Sequence, residues 1–196
     1  MLELEEKIIE WQKMPRNNQE ELNLADEFFD KELMPLSLEA FLKGQKEKIK
    51  NKYYGMILTL GTSWQPLALS IALLKPQKIL VLCAQDTYCL IEKIIQFLKI
   101  DKASVHSVIV DRSETDDIYK AMYDAYKDWH ALGRICADIT GGTKAMASSA
   151  AMMAAVLKMD IYYVESKYLP LYRRPMPGSE ELKNLKNPSF FGEYEC

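Results

Sequence analysis

Between residues 55 and 164 the chain alternates short β-rich apolar runs with stretches of helical spacing. The apolar runs are Gly55–Leu60 (GMILTL), Lys78–Ala84 (KILVLCA), Val105–Val110, Arg134–Ile139 and Asp160–Val164. Between them lie Gln65–Leu74, Tyr88–Leu98, Asp116–Leu132 and Lys144–Leu157, whose apolar residues recur at helical intervals. The first two runs are nearly continuous in apolar residues rather than alternating with polar ones. A strand of that kind is buried on both faces, which is the condition of a parallel sheet covered by helices. The order therefore predicts an α/β protein with a Rossmann-like parallel sheet flanked by helices.

The flanks read differently. Residues 1–50 are expected to form an N-terminal helical extension and residues 51–196 the Rossmann-like domain. Leu2, Leu4, Ile8, Ile9 and Trp11 make one apolar stripe, broken at Pro15 and Asn17-Asn18. Leu22, Leu24, Ala25, Phe28, Phe29 and Leu33 make a second, expected to end near Pro35. Ser37 would then cap a third helix running to about Lys50. The tail from Tyr168 to Cys196 holds Pro170, Pro175, Pro177 and Pro188 and reads as extended or hairpin structure.

Composition narrows the function classes. The net charge is −3, which argues against broad electrostatic binding and against duplex nucleic acid as a partner, though it leaves room for a local anion pocket. Cys83, Cys89, Cys136 and Cys196 form no CxxC pair, and His106 and His130 are far apart, so no metal site is expected. Free thiols fit a reducing compartment. The acidic start Leu-Glu-Leu-Glu-Glu after Met1 is not a signal peptide, and the apolar runs are too short to cross a bilayer. The expected location is the cytoplasm, with no membrane partner.

Two strand-to-helix turns carry the candidate chemistry. One is Leu60-Gly61-Thr62-Ser63-Trp64-Gln65-Pro66; the other is Asp138-Ile139-Thr140-Gly141-Gly142-Thr143-Lys144. Each sets glycine and hydroxyl residues at the carboxyl end of a strand, just before a helix. Backbone N–H groups and the positive end of a helix dipole converge there, and both favour an anion such as phosphate. The turns follow the first and fourth strands, which are neighbours in a Rossmann-like winding, so they should form one site at the switch point. Neither matches GxGxxG or GxxxxGK[ST], which disfavours a nucleotide hydrolase or a standard dinucleotide enzyme. The bland alternatives are ordinary punctuation at Gly61, and at Asp138 a carboxylate that holds its own loop. The alanine-rich stretch after Lys144 reads first as close packing on the sheet, and otherwise as a contact between subunits.

The segment Asp138 to Met146, with LGTSWQPLALSIALLKPQKILVL upstream, resembles the CARF family, the CRISPR-associated Rossmann-fold sensor domains. Within it the chain is similar to a subgroup with a D-[IL]-T-G-G-T-K-x-M signature. The tail around Arg174-Pro175-Met176-Pro177-Gly178 looks like the segment that closes such sensors. The resemblance spans roughly residues 53–192 and is weaker over the first 50. It implies a receptor for cyclic oligoadenylate, foremost cyclic tetraadenylate, in type III CRISPR antiviral signalling. It further implies a homodimer with the ring across the two-fold axis, regulating an effector, and no cofactor. Carried over by motif, Gly61, Thr62, Ser63 and Gln65 would line one side of the ring. Gly141, Gly142, Thr143 and Lys144 would hold the phosphates from the other side, with Asp138 and Thr140 of the same turn also candidate ligand residues and Asp138 either a ribose partner or a holder of the loop.

Family members usually join this sensor to an effector. The chain stops near the expected end of the sensor, and it has no RxxxxH ribonuclease motif. Glu165-Ser166-Lys167, with Asp138 or Asp160, is a faint nuclease-like trace that chance explains better. A binding module is the first expectation. The second is a metal-independent ring nuclease in which a ribose 2′-OH attacks the adjacent phosphodiester, with Thr62, Ser63 and Lys144 as candidate catalytic groups. The third is an adaptor that recruits a partner through residues 1–50.

Overall fold

A computed structural model of the chain describes residues 2–185 and 187–188. They form two compact units, Met1–Lys48 with Glu165–Glu181, and Ile49–Val164 with Leu182–Cys196.

The larger unit follows the β-α alternation. It contains β1 (Gly55–Leu60), α4 (Gln65–Leu74), β2 (Lys78–Cys83), α5 (Leu90–Leu98), β3 (Val105–Ile109), α6 (Thr115–Trp129), β4 (Ile135–Asp138), α7 (Lys144–Val156) and β5 (Asp160–Glu165). Three helices precede them in the smaller unit, α1 (Leu2–Lys13), α2 (Gln19–Phe28) and α3 (Met34–Gln45). β1 to β5 are parallel, and the sheet order is β3-β2-β1-β4-β5, extended beyond β5 by β8 (Glu181–Leu185). This is the Rossmann-like parallel sheet read from the alternation. Every residue of β1 and β4 is buried, which accounts for their unbroken apolar character. β3 forms the edge, and its residues from His106 to Ile109 are exposed. β8 was not foreseen: Glu-Leu-Lys-Asn-Leu is polar enough to read as loop, and Leu182 is its buried member.

One face of the sheet is covered by α6 and α7. Ile57, Leu80, Leu82, Ala137 and Ile161 pack there with Ile118 and Met122 of α6 and Ala150 and Ala154 of α7. Ala150 and Ala154 sit in this core and serve close helix-to-sheet packing, while Ala145 and Ser148 are exposed and Ala147, Ala151 and Ala155 half-buried. By strand alternation Met56 and Leu58 point to the other face, where they are buried too. α4 is apolar nearly all round and buried along most of its length.

The smaller unit begins with α1 (Leu2–Lys13), α2 (Gln19–Phe28) and α3 (Met34–Gln45). Leu4, Ile8 and Trp11 are the buried stripe of α1, and the Trp11 indole N–H donates to Ala25 O at 3.0 Å. Asn18 caps α2, its side chain accepting from Glu21 N at 2.9 Å, while Glu21 accepts from Asn17 N at 2.7 Å. The expected stop near Pro35 does not occur. A π-helical segment, Phe29–Leu33, carries α2 directly into α3, and Pro35 falls in the first turn of α3, where its missing N–H is tolerated. Ser37 is therefore not an N-cap. It is wholly buried inside α3, donates to Glu180 Oε2 at 2.9 Å and accepts from Gly178 N at 3.0 Å. Leu22 and Leu24 are exposed, 39% and 52%, and the inward stripe is Ala25, Phe29 and Leu33, spaced by four. The expected hairpin in the tail is present as β6 (Tyr168–Leu169) paired antiparallel with β7 (Arg174–Pro175).

Burial pushes the Glu180 carboxyl above the usual carboxylate range, against the hydrogen bonds from Ser37 and nearby amides. Ser37→Ala removes a hydroxyl that serves a buried carboxyl and a backbone N–H together. The expected loss is about 1–3 kcal/mol of stability, checked by thermal unfolding of the whole chain.

Candidate functional site

The winding reverses between β1 and β4. From β1 the chain proceeds outward to β2 and β3, and from β4 in the other direction to β5. The two strands pair from Gly55↔Ile135 to Leu58↔Asp138, so the turns that follow them leave the sheet side by side. They meet main chain to main chain. A β-carbon on Gly61 would lie 2.7 Å from Gly142 N, and one on Gly141 would lie 2.3 Å from Thr59 O. Gly142 has φ +83°, and a β-carbon there would press on Thr59 and Met146 at 3.2 and 3.1 Å. All three glycines are thus required by the approach of the turns to each other.

Hydrogen bonds fix the second turn from below. Thr59, fully buried, donates from Oγ1 to Gly141 O at 2.6 Å. Asp138 Oδ1 accepts from Thr140 N at 2.8 Å and from the Thr140 hydroxyl. Thr140 Oγ1 also accepts from Val164 N at 2.8 Å, which ties the turn to the end of β5. Thr143 caps α7, accepting from Met146 N at 3.2 Å and donating to Arg112 O at 3.3 Å. Asp138 is fully buried, and its Oδ2 has no hydrogen-bonding partner among the described residues. Burial pushes its carboxyl above the usual range; the Ser70 hydroxyl, whose own bond goes to Leu67 O at 3.0 Å, and Thr140 oppose that.

The rim is electrically simple. α4 and α7 both begin here, and neither has an acidic residue in its first turn, unlike α1, α2 and α6. The first amides of α7 point out of the helix without intrahelical acceptors. In α4 Pro66 removes one such donor. Thr62, Ser63 and Lys144 are exposed, and Lys144 makes no ion pair with a described residue. Gly61, Thr140, Gly141, Gly142 and Thr143 are half-buried; Gln65 and Asp138 are buried.

The structure thus brings the two predicted turns together and separates their members by depth. Sequence reading passed over Thr59, although a threonine in an otherwise apolar strand was a visible signal. It also passed over Ser70, Arg112 and the Val164 amide, whose roles depend on tertiary placement. His106 lies in β3 and His130 just after α6, away from both turns. Of the nuclease-like trace, Asp160 opens β5 and Glu165 closes it, so these two carboxylates stand at opposite ends of one strand. Asp160 bonds to Arg134 at 3.1 Å and Tyr53 at 2.6 Å. Among the described residues no group of three or more His, Cys, Asp or Glu could hold a metal, and no helix is long and apolar enough to cross a membrane. Cys83, Cys89 and Cys136 are free thiols; burial pushes Cys83 up to about 11. Cys196 lies outside the described residues.

The two turns leave the carboxyl edge of a parallel sheet side by side, each at the start of a helix, which is where open α/β sheets take ligands and where helix amides favour anions. No family model matches the chain. A CRISPR system endoribonuclease Csm6 from Thermus thermophilus is 29% identical over 136 residues, which is 66% of this chain and 28% of that protein. Can2 from Sulfobacillus thermosulfidooxidans, solved in complex with cyclic tetra-adenylate, matches with a TM-score of 0.53 at 18% identity, over 65% of this chain and 36% of that one. Enterococcus italicus Csm6, bound to cyclic hexa-2′-fluoro-hexa-dAMP, also gives 0.53 at 10% identity, over 72% and 43%. The chain therefore spans less than half the length of each, and it shares the fold of the two solved structures over the matched region.

Two outcomes follow for stability. Gly142→Ala should cost about 1–2 kcal/mol for its left-handed backbone, and Gly141→Ala more, because its β-carbon meets a carbonyl oxygen held by the sheet; urea unfolding measures both. Asp138 has a folded pKa above its unfolded one, so its contribution is full below the unfolded value and is lost as pH rises through the folded one. The stability of the native chain relative to Asp138→Asn should accordingly fall as pH rises from about 4, followed by thermal melts across pH.

Proposed function

We propose that the two turns bind a cyclic oligoadenylate, cyclic tetraadenylate foremost. In this reading the protein is a CARF-type sensor of type III CRISPR antiviral signalling, with the D-I-T-G-G-T-K segment as its ligand loop. The observation that carries it is the contact of the Gly61 and Gly141–Gly142 turns at the sheet reversal, beneath two acid-free helix starts and beside the exposed Lys144. Such a mouth suits a ribose–phosphate track: amides and Lys144 face phosphate oxygens, and Thr62 and Ser63 hydroxyls serve ribose or phosphate. The sequence likeness to a Csm6, and the fold shared with a Can2 and a Csm6 bound to cyclic adenylates, support this ligand class.

A four-adenylate ring has two-fold symmetry, so two copies of the chain would each supply the same pair of turns. Occupancy would then alter the dimer and, through it, an effector on the same polypeptide or a partner. Gly61, Gly141 and Gly142 let the two turns meet main chain to main chain and so place the helix-start amides, whereas Asp138 and Thr140 act from beneath by holding the loop. Gln65 lies buried at the start of α4 and would act there. Binding rather than cleavage is the favoured activity, because neither histidine sits near the turns to act as general base.

Calorimetry with rings of three, four and six adenylates tests the reading, with the four-membered ring expected to bind tightest. Lys144→Ala should weaken it by about 1–3 kcal/mol, the range for a charge-assisted hydrogen bond. Unchanged affinity would remove Lys144 from the site. Labelled ring incubated with the protein and a chelator should stay intact over hours; linear product would instead favour ring opening by the Thr62, Ser63 and Lys144 groups.

A further inference from the structure

Beside the two turns, the carboxyl ends of β2 and β3 open into a cavity of about 620 Å³. β2 is the neighbour of β1 in the sheet, and the Thr143 cap reaches the cavity's rim by its bond to Arg112 O. The volume lies in the range of small-molecule sites, about 300–1,000 Å³. Ile109 gives it an apolar wall, and Ala84 and Val110, both almost fully buried, border it. Ile109 is 48% exposed, an open apolar surface at a strand end. Gln85, Asp86 and Arg112 supply the polar groups.

Those groups select among ligands. One terminal nitrogen of Arg112 donates to both carboxylate oxygens of Asp86 at 2.6 Å. Asp111, also at the rim, accepts from Ser113 N at 2.8 Å and from Ser113 Oγ at 2.6 Å. Two carboxylates against one guanidinium make this a poor place for phosphate. A neutral planar base suits it better, with a flat apolar face for the wall and donors and acceptors for the rim. The exposed Gln85 amide makes no hydrogen bond with a described residue, and it carries both a donor and an acceptor. That is the combination that pairs in two bonds with the amino edge of adenine. A second cavity of about 400 Å³, lined by His130, Arg134 and Lys158, lies at the amino ends of β4 and β5, the wrong end of the sheet for the same ligand.

We propose that the cavity between the carboxyl ends of β2 and β3 seats one adenine of the ring, with the base lying against Ile109 and Gln85 reading its amino edge. The proposal rests on the cyclic oligoadenylate reading above and adds how the base is chosen. Phosphate capture and base selection then belong to different residues.

The test compares cyclic tetraadenylate with cyclic tetrainosinate, in which the 6-amino group is replaced by oxygen. Calorimetry is run on the whole chain and on two variants, Gln85→Leu and Lys144→Ala. The native chain should prefer the adenylate ring by about tenfold or more, as sites built to hydrogen-bond a group reject its analogue. Gln85→Leu, an exposed position, should melt as the native chain does and bind both rings within about threefold of each other. Lys144→Ala should weaken both rings alike and keep the preference. Equal binding of both rings by the native chain, or a preference that survives in Gln85→Leu, overturns the base subsite and leaves the ligand reading standing. Binding of neither ring by the native chain overturns the ligand reading and the subsite with it.

Discussion

The site depends on one steric fact: two turns from neighbouring strands touch through their main chains, without side chains between them. Gly61 lies against Gly142, and Gly141 against the carbonyl of Thr59. Main chains approach that closely only where β-carbons are missing. The contact sets where α4 and α7 begin, and so where their amide ends point. It follows directly from the β1–β4 register, because Leu58 and Asp138 are paired and both chains leave the sheet within a few residues of that pair.

A mouth built from main chain must be held from beneath, and the buried polar groups perform that work. Thr59 anchors Gly141, Asp138 anchors Thr140, Thr140 reaches β5, and Thr143 both caps α7 and reaches Arg112. Burying Asp138 opposes its charge, and only one of its oxygens is fully served. Its served oxygen holds Thr140 and so fixes the loop. Preorganisation of this kind lowers the ordering cost of binding.

Much of this was legible in the residues. Continuous apolar runs such as GMILTL and KILVLCA located the inner strands to within a residue, because burial on both faces leaves no room for polar alternation. The adjacency of the turns followed from winding order alone. The smaller unit was less readable. Pro35 reads as a stop, yet the π-helical turn before it absorbs the ring, and Ser37 reads as a cap, yet its hydroxyl bonds to Glu180, 143 residues away along the chain. β8 was missed for a related reason: an edge strand with one buried residue has no periodicity to detect. Local pattern predicts what local geometry decides, and these features are decided by distant partners.

The same distinction bears on how the glycine-rich turn is interpreted. Thr-Gly-Gly-Thr is fully accounted for by packing: Gly141 and Gly142 by the neighbouring turn, Thr140 and Thr143 by hydrogen bonds to Asp138, Val164, Met146 and Arg112. A chain could need that motif for its architecture whatever it binds. The residues with no such duty are the exposed ones, Thr62, Ser63 and Lys144 on the turns and Gln85 beside them. Substituting them should leave the fold intact, so any loss of binding there reports on the ligand. Loss at the glycines would report first on the mouth itself, and evidence for a nucleotide ligand must therefore come from the rim.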